Sequence, residues 1–166
     1  MNIFAVDESP IVAARQLPNK LIVKMPTETV QIVVNAFRKD QLREAPYTRG
    51  NTPYKQNRAN NPATLWATAT RENLIWLLTH GIAMCEEYTE RYNKIHYASH
   101  LLNWAMKNVN SCKVALGDRT PFVQLMPPEY IGKDPVVAYR NYMKAVKAHY
   151  AIWPEGKKPH WWNTTT

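Results

Sequence analysis

TRENLIWLLTHGIAMCEEYTER, residues 70–91, is the stretch on which the fold turns. From Thr70 the apolar positions Leu74, Leu77, Leu78, Ile82 and Cys85 recur at the spacing of one helical face through about Arg91. The pattern predicts one long helix with its apolar face in the core. Outward from it, Ser9-Pro10 is an N-cap followed by a first helical position, opening a short helix through about Gln16 after an extended start over 2–6. A second helix is predicted over 19–39, with Pro26 kinking or restarting it because the ring clashes with the preceding turn and donates no hydrogen bond. Residues 40–63, with Pro46, Gly50, Pro53 and Pro62, read as a long irregular connection. Further helices are predicted over 95–107 and, capped by Asp134-Pro135, through about Ile152. Few segments alternate with the period of a strand. The expected fold is all-α: a compact single-domain helical bundle with long loops over 1–166, ending in an aromatic tail over 153–166.

A chain of 166 residues buries enough surface for one real core and needs no second domain. Its formal charge of +8 points to a polyanionic partner, because phosphates neutralised by Lys and Arg release counterions. The excess is uneven: Arg49, Lys55, Arg58 and Arg71 fall in a stretch over 45–71 with no acid. Nucleic acid is the first candidate. Cys85 and Cys112 lie in no metal-ligand spacing and are too few for a disulfide framework, which fits a cytoplasmic protein. No run approaches the ~18 apolar residues of a membrane span. A glycine-rich phosphate loop, a nucleophile elbow and a dinucleotide fingerprint are all absent, so no cofactor is expected. His96 and His100 stand four residues apart, but no acid follows at a matching interval, and no metal site is expected.

Two constellations carry candidate chemistry. Lys20, Lys24 and Glu28 recur every four residues and would share one helix face. An amine beside a carboxylate can attack an anomeric carbon and move the protons involved; the plainer reading is a solvated face of ion pairs. If a helix restarts at Pro26, Glu28 stands at its N-terminus, where the dipole favours an anion. The second constellation is the loop with Arg58, Asn60 and Asn61, followed by Trp66: a cation for phosphate, amides for a base edge and a ring for stacking. Its plainer reading is a set of amides capping their own backbone and a tryptophan anchoring the next helix.

Taken in order, several pieces resemble the pyrimidine-dimer DNA glycosylase family of the phage endonuclease V type and its phage and bacterial relatives. They are Leu17-x-Asn-Lys20, Lys24-x-x-x-Glu28-x-x-Gln31, Asn60-Asn-Pro-Ala-Thr-Leu-Trp66, and Arg71-Glu-Asn-Leu-Ile-Trp76 running on to Glu87-Tyr-Thr-Glu-Arg91-Tyr. Thr120-Pro-Phe, Asp134-Pro, Ala138-Tyr-Arg140 and Trp161-Trp162 extend the likeness to a phage subgroup. The resemblance implies a compact helical bundle in which an N-terminal α-amine attacks the deoxyribose anomeric carbon, assisted by a glutamate on the early helix. The base is expelled and a Schiff base forms, whose β-elimination nicks the strand. Glu28 is the implied carboxylate. Because Asn2 is a large second residue, Met1 is expected to stay, leaving the α-amine of Met1, Lys20 or Lys24 as the amine. Arg58, Arg71, His96 and Arg140 are the candidate phosphate and substrate contacts, Trp66 the stacking ring, and Asn60 and Asn61 the base readers.

The leading expectation is therefore a DNA glycosylase, with or without AP lyase activity, acting on damaged or modified bases flipped from the duplex. The alternatives are a catalytically inactive nucleic-acid-binding protein and a phage or host interaction protein on the same fold. In the last of these an exposed Trp161/Trp162 tail would be the anchor.

Overall fold

The computed structural model describes residues 1–163; the last three residues of the predicted tail, 164–166, lie outside the described residues. Those described form helices and loops with no strand. In chain order the α-helices are α1 (Pro10–Arg15), α2 (Asn19–Val33), α3 (Lys39–Glu44), α4 (Pro62–Ala67), α5 (Arg71–Tyr92), α6 (Ala98–Lys107) and α7 (Pro135–Val146). The all-α expectation holds.

The central element is α5. Thr70 caps it by accepting from the Asn73 N–H at 3.2 Å, and Asn93 ends it in the left-handed conformation at φ 53°, a conformation that asparagine tolerates better than most residues. Leu74, Leu77, Leu78 and Met84 on α5 are buried, and α1, α2 and α6 pack around it. Burial of each such side chain contributes about 1.5–3 kcal/mol. Where α2 crosses α5 the approach is close: a Cβ at Gly81 would lie 2.8 Å from Thr29 Cγ2 and 3.0 Å from Leu102 Cδ1. Glycine is needed there for space.

Several boundaries differ from the sequence reading. The helix predicted over 19–39 ends at Val33, passes into a 3-10 turn over Val34–Ala36, and α3 then forms as a separate helix inside the stretch read as irregular. Pro26 neither breaks nor restarts α2. Its ring is buried with Ile22 and Met25, so core packing offsets the missing hydrogen bond, and the Thr29 hydroxyl donates to the Met25 carbonyl at 3.0 Å. Glu28 accordingly stands inside a continuous helix and not at an N-terminus. The predicted extended start forms no strand. Instead Ile3, Phe4, Ala5 and Val6 are buried as an irregular segment, with Phe4 at φ 42°. The last predicted helix stops at Val146, followed by a 3-10 turn over Ala148–Tyr150.

The aromatic tail is also not an exposed anchor. Trp161 is buried and donates its indole N–H to Gln16 Oε1 at 2.8 Å, while Trp162 packs against Trp153 with ring centroids 4.8 Å apart. An indole that finds both apolar cover and an acceptor is more stable inside than out.

Candidate active site

The stripe of Lys20, Lys24, Glu28 and Gln31 lies on the side of α2 turned away from the core, because Leu21, Ile22, Met25, Thr29 and Ile32 take the buried positions. Lys24 Nζ is 3.2 Å from Glu28 Oε1. The other carboxylate oxygen, Oε2, accepts from the backbone N–H of Asn2 at 3.2 Å. Both oxygens of Glu28 thus meet nitrogen, one from the neighbouring turn and one from the chain's first residues. The α-amine of Met1 is one residue further on, which covalent geometry places within about 7 Å of the carboxylate. Lys20 points elsewhere, with its ammonium 4.7 Å from the centroid of Tyr150.

The N-terminal segment is held firmly in that position. Asn2 Oδ1 accepts from the N–H groups of Ile3 and Phe4, at 2.7 and 2.9 Å, and Asn2 Nδ2 donates to the Leu125 carbonyl at 2.7 Å. Tyr139 donates its hydroxyl to the Val123 carbonyl at 2.7 Å and accepts from the Leu125 N–H at 3.1 Å, and burial pushes its phenol above the usual range. Arg140 donates to the Val6 carbonyl at 2.7 Å and to Asp7 Oδ2 at 3.2 Å. From below, His80 of α5 faces the Pro10 carbonyl at 3.1 Å and the Ile3 backbone; complete burial pushes its imidazole down to about 4, keeping it neutral.

Beside this stripe lies a cavity of about 830 Å³. One wall is α2, with Val23, Thr27 and Gln31; the second is the loop carrying Arg49, Tyr54 and Lys55; the third comes from Tyr88, His96 and Tyr97 at the junction of α5 and α6. Gln31 is one turn beyond Glu28, so the cavity starts about 5–6 Å from the carboxylate-bearing position.

Against models of protein families, residues 1–99 match the pyrimidine dimer DNA glycosylase family. The chain belongs to that family. No curated protein and no solved structure matches it. Membership makes DNA the substrate of this glycosylase family member, and the matched residues include α2, the N-terminal segment and the cavity walls. The pinning groups Leu125, Tyr139 and Arg140 lie beyond the match.

The residues singled out in the glycosylase sequence separate into two sets. Glu28, Lys24 and the Met1 segment are brought together, and His96 lines the adjoining cavity. His96 accepts from the Ala98 N–H at Nδ1, 3.1 Å, which leaves Nε2 to donate to the Val23 carbonyl at 3.0 Å. The imidazole thereby ties α2 to the start of α6. Arg58 and Asn60 are exposed in the loop before α4, with Arg58 at φ 50°. Asn61 caps α4, accepting from the Ala63 N–H at 3.0 Å. Trp66 is buried against Trp76 and Phe122 and donates to the Pro121 carbonyl at 2.9 Å. Arg71 gives two donors to the Val114 carbonyl, at 3.1 and 2.7 Å. Trp66, Arg71 and Arg140 are thereby engaged in holding loops to helices.

Sequence reasoning passed over Tyr54, Tyr88, Tyr97 and the backbone nitrogen of Asn2. Arg49 and Lys55 were visible as part of the acid-free stretch, but Tyr88 and Tyr97 flank the end of a helix at no regular spacing. Only the turn at Asn93 brings them to one wall.

Proposed function

We propose that this chain is a DNA glycosylase with associated lyase chemistry, acting on pyrimidine dimers or comparably altered bases, and that Glu28 and the α-amine of Met1 are its reacting pair. The contact between the Asn2 N–H and Glu28 Oε2, with Lys24 on the other oxygen, carries this reading. The neutral amine attacks C1′ of the deoxyribose, the C1′–N bond to the base breaks, and the base leaves with that electron pair and takes its proton from solvent water. The nitrogen's lone pair then opens the sugar ring, giving a protonated imine, and O4′ takes from Glu28 the proton that the amine released. Removal of a C2′ proton expels the 3′ phosphate. Glu28 accepts the amine's proton and offsets the positive charge that develops on the sugar, both within reach of a carboxylate beside the N-terminus.

Lys24 serves to hold and orient Glu28. As a class, α-amines are about 2.5 units less basic than lysine side chains, so a far larger fraction is the neutral nucleophile near pH 7.

Borohydride trapping on duplexes carrying a thymine dimer or an abasic site, followed by mass spectrometry of the cross-linked peptide, tests the reading. The expected product is a reduced secondary amine at the Met1 nitrogen. An adduct at Lys24 or Lys20 would move the nucleophile to that side chain, and the absence of both an adduct and base release would overturn the proposal.

A further inference from the structure

The hold on the chain's first residues is tightest next to the amine. Arg140, Trp76 and His80 tie down the carbonyls of Val6, Glu8 and Pro10, all five or more positions from Met1. Asn2 is adjacent to it. Its backbone N–H donates to Glu28 Oε2 at 3.2 Å, and both polar atoms of its side chain are engaged. Oδ1 accepts from the Ile3 and Phe4 N–H groups, and Nδ2 crosses to the Leu125 carbonyl at 2.7 Å. Leu125 is in turn held by Tyr139, a fully buried side chain whose hydroxyl accepts from the Leu125 N–H at 3.1 Å and donates to the Val123 carbonyl at 2.7 Å. The Tyr139 ring also lies 6.3 Å from that of Phe4. Phe4 itself is bent to φ 42°. A bulky residue persists in that left-handed conformation only where its surroundings over-determine it, and such positions gather at functional sites.

We infer that Asn2 is a positioning residue for the reaction: its side chain, seated on Leu125 and through it on Tyr139, fixes the peptide plane that carries the α-amine of Met1 beside Glu28. The inference rests on the reading that this amine is the nucleophile, and it names what holds the amine in place. The peptide bond between Met1 and Asn2 is planar, so fixing the Asn2 nitrogen and the backbone that follows it also fixes the Met1 Cα. Rotation about the Met1 Cα–C bond is then the one backbone freedom left to the amine. Geometry set in advance removes the search for an attacking pose, and a displacement of about 1 Å can cost about 10²-fold in rate. Because Leu125 and Tyr139 lie beyond residues 1–99, the part of the chain outside the family match takes part in aligning the amine.

The test compares Asn2→Leu, Tyr139→Phe and the double variant with the parent in single-turnover base release from a thymine-dimer duplex, with Tm and the borohydride-trapped peptide recorded for each. Leucine, like asparagine, is a large second residue, so Met1 should stay, which mass spectrometry verifies. In Asn2→Leu the maximal rate should fall by about 10–100-fold, while the half-saturating duplex concentration and Tm stay close to those of the parent. Tyr139→Phe should slow the reaction in the same sense. In the Asn2→Leu background it should slow it no further, because Tyr139 reaches the amine only by way of Leu125 and Asn2. A parent-like maximal rate in Asn2→Leu, a loss confined to duplex binding, a large fall in Tm in that variant, or rate effects that multiply in the double variant overturns the inference. Each of these leaves the α-amine reading standing when the parent's adduct is on Met1. An adduct on Lys20 or Lys24 in the parent overturns that reading itself, and the inference with it.

Discussion

Lys24 with Glu28 on α2 and Glu87 with Arg91 on α5 are both acid and base pairs one helical turn apart, at 3.2 and 3.0 Å. Their surroundings differ completely. The side chains of Glu87 and Arg91 are 4% and 1% exposed, and every direction is filled: Arg91 donates to the Leu17 and Arg15 carbonyls and to Asn19 Oδ1, and Lys157 reaches Glu87 from the C-terminal segment at 3.1 Å. Lys24 and Glu28 are 64% and 17% exposed, and the remaining neighbour of Glu28 is the N-terminal segment. The first pair closes the fold, joining the α1–α2 connection, α5 and the tail. The second is open to a ligand. Spacing sets which groups meet, and burial sets whether they hold structure or remain available for chemistry.

The largest effect should come from the closed pair. Glu87→Gln leaves Arg91 buried without its counter-charge, and one-sided loss of a buried pair costs about 3–5 kcal/mol. For a chain of this size that is roughly 10 °C or more in Tm, read by calorimetry. An unchanged Tm would break the distinction between the pairs.

His80 gives the next effect, through pH. Burial holds its folded-state value at about 4, below the ordinary 6.5, so the unfolded chain binds the proton more readily. Its contribution is complete above pH 6.5 and is lost as pH falls toward 4, by up to about 3 kcal/mol. Denaturant unfolding from pH 7 to 4.5 should show that decline, and His80→Gln should flatten it. Lys157 works in the opposite sense. Burial alone would lower its value, but hydrogen bonds to Glu90 and Glu87 prevail and raise it, so its support persists until strongly basic pH.

The smallest expected change in stability is in the open pair. Lys24→Met removes an exposed ion pair, worth at most about 1 kcal/mol. Tm should hardly move, and with the α-amine of Met1 as the proposed nucleophile borohydride trapping should persist. Loss of the adduct with an intact fold would reassign the nucleophile to Lys24.

Much of this was legible in the sequence, and the limits have physical causes. The apolar repeat from Thr70 marks α5 within a residue or two, since that signal is local. The α2 face was equally readable, because four-residue spacing fixes which side chains share a side. Pro26 misled because its cost is local while the packing that offsets it is tertiary. Trp66, Arg71 and Arg140 are residue types that serve surfaces and interiors alike, and their partners Pro121, Val114 and Val6 lie far away in sequence. The cavity could not be read at all, since it exists only where the loop over 48–57 meets α2 and the α5–α6 junction. Nor could the seat of the N-terminus, which depends on Leu125 and Arg140 from outside the family match.

Single-turnover base release by Glu28→Gln, on a thymine-dimer duplex with Tm recorded on the same preparation, is the most direct measurement. The account predicts release slowed by about 10²–10⁴-fold with Tm within a few degrees of the parent. Parent-like release would contradict the assignment of Glu28 to the chemistry, and a large fall in Tm would make it one more residue of the structural frame.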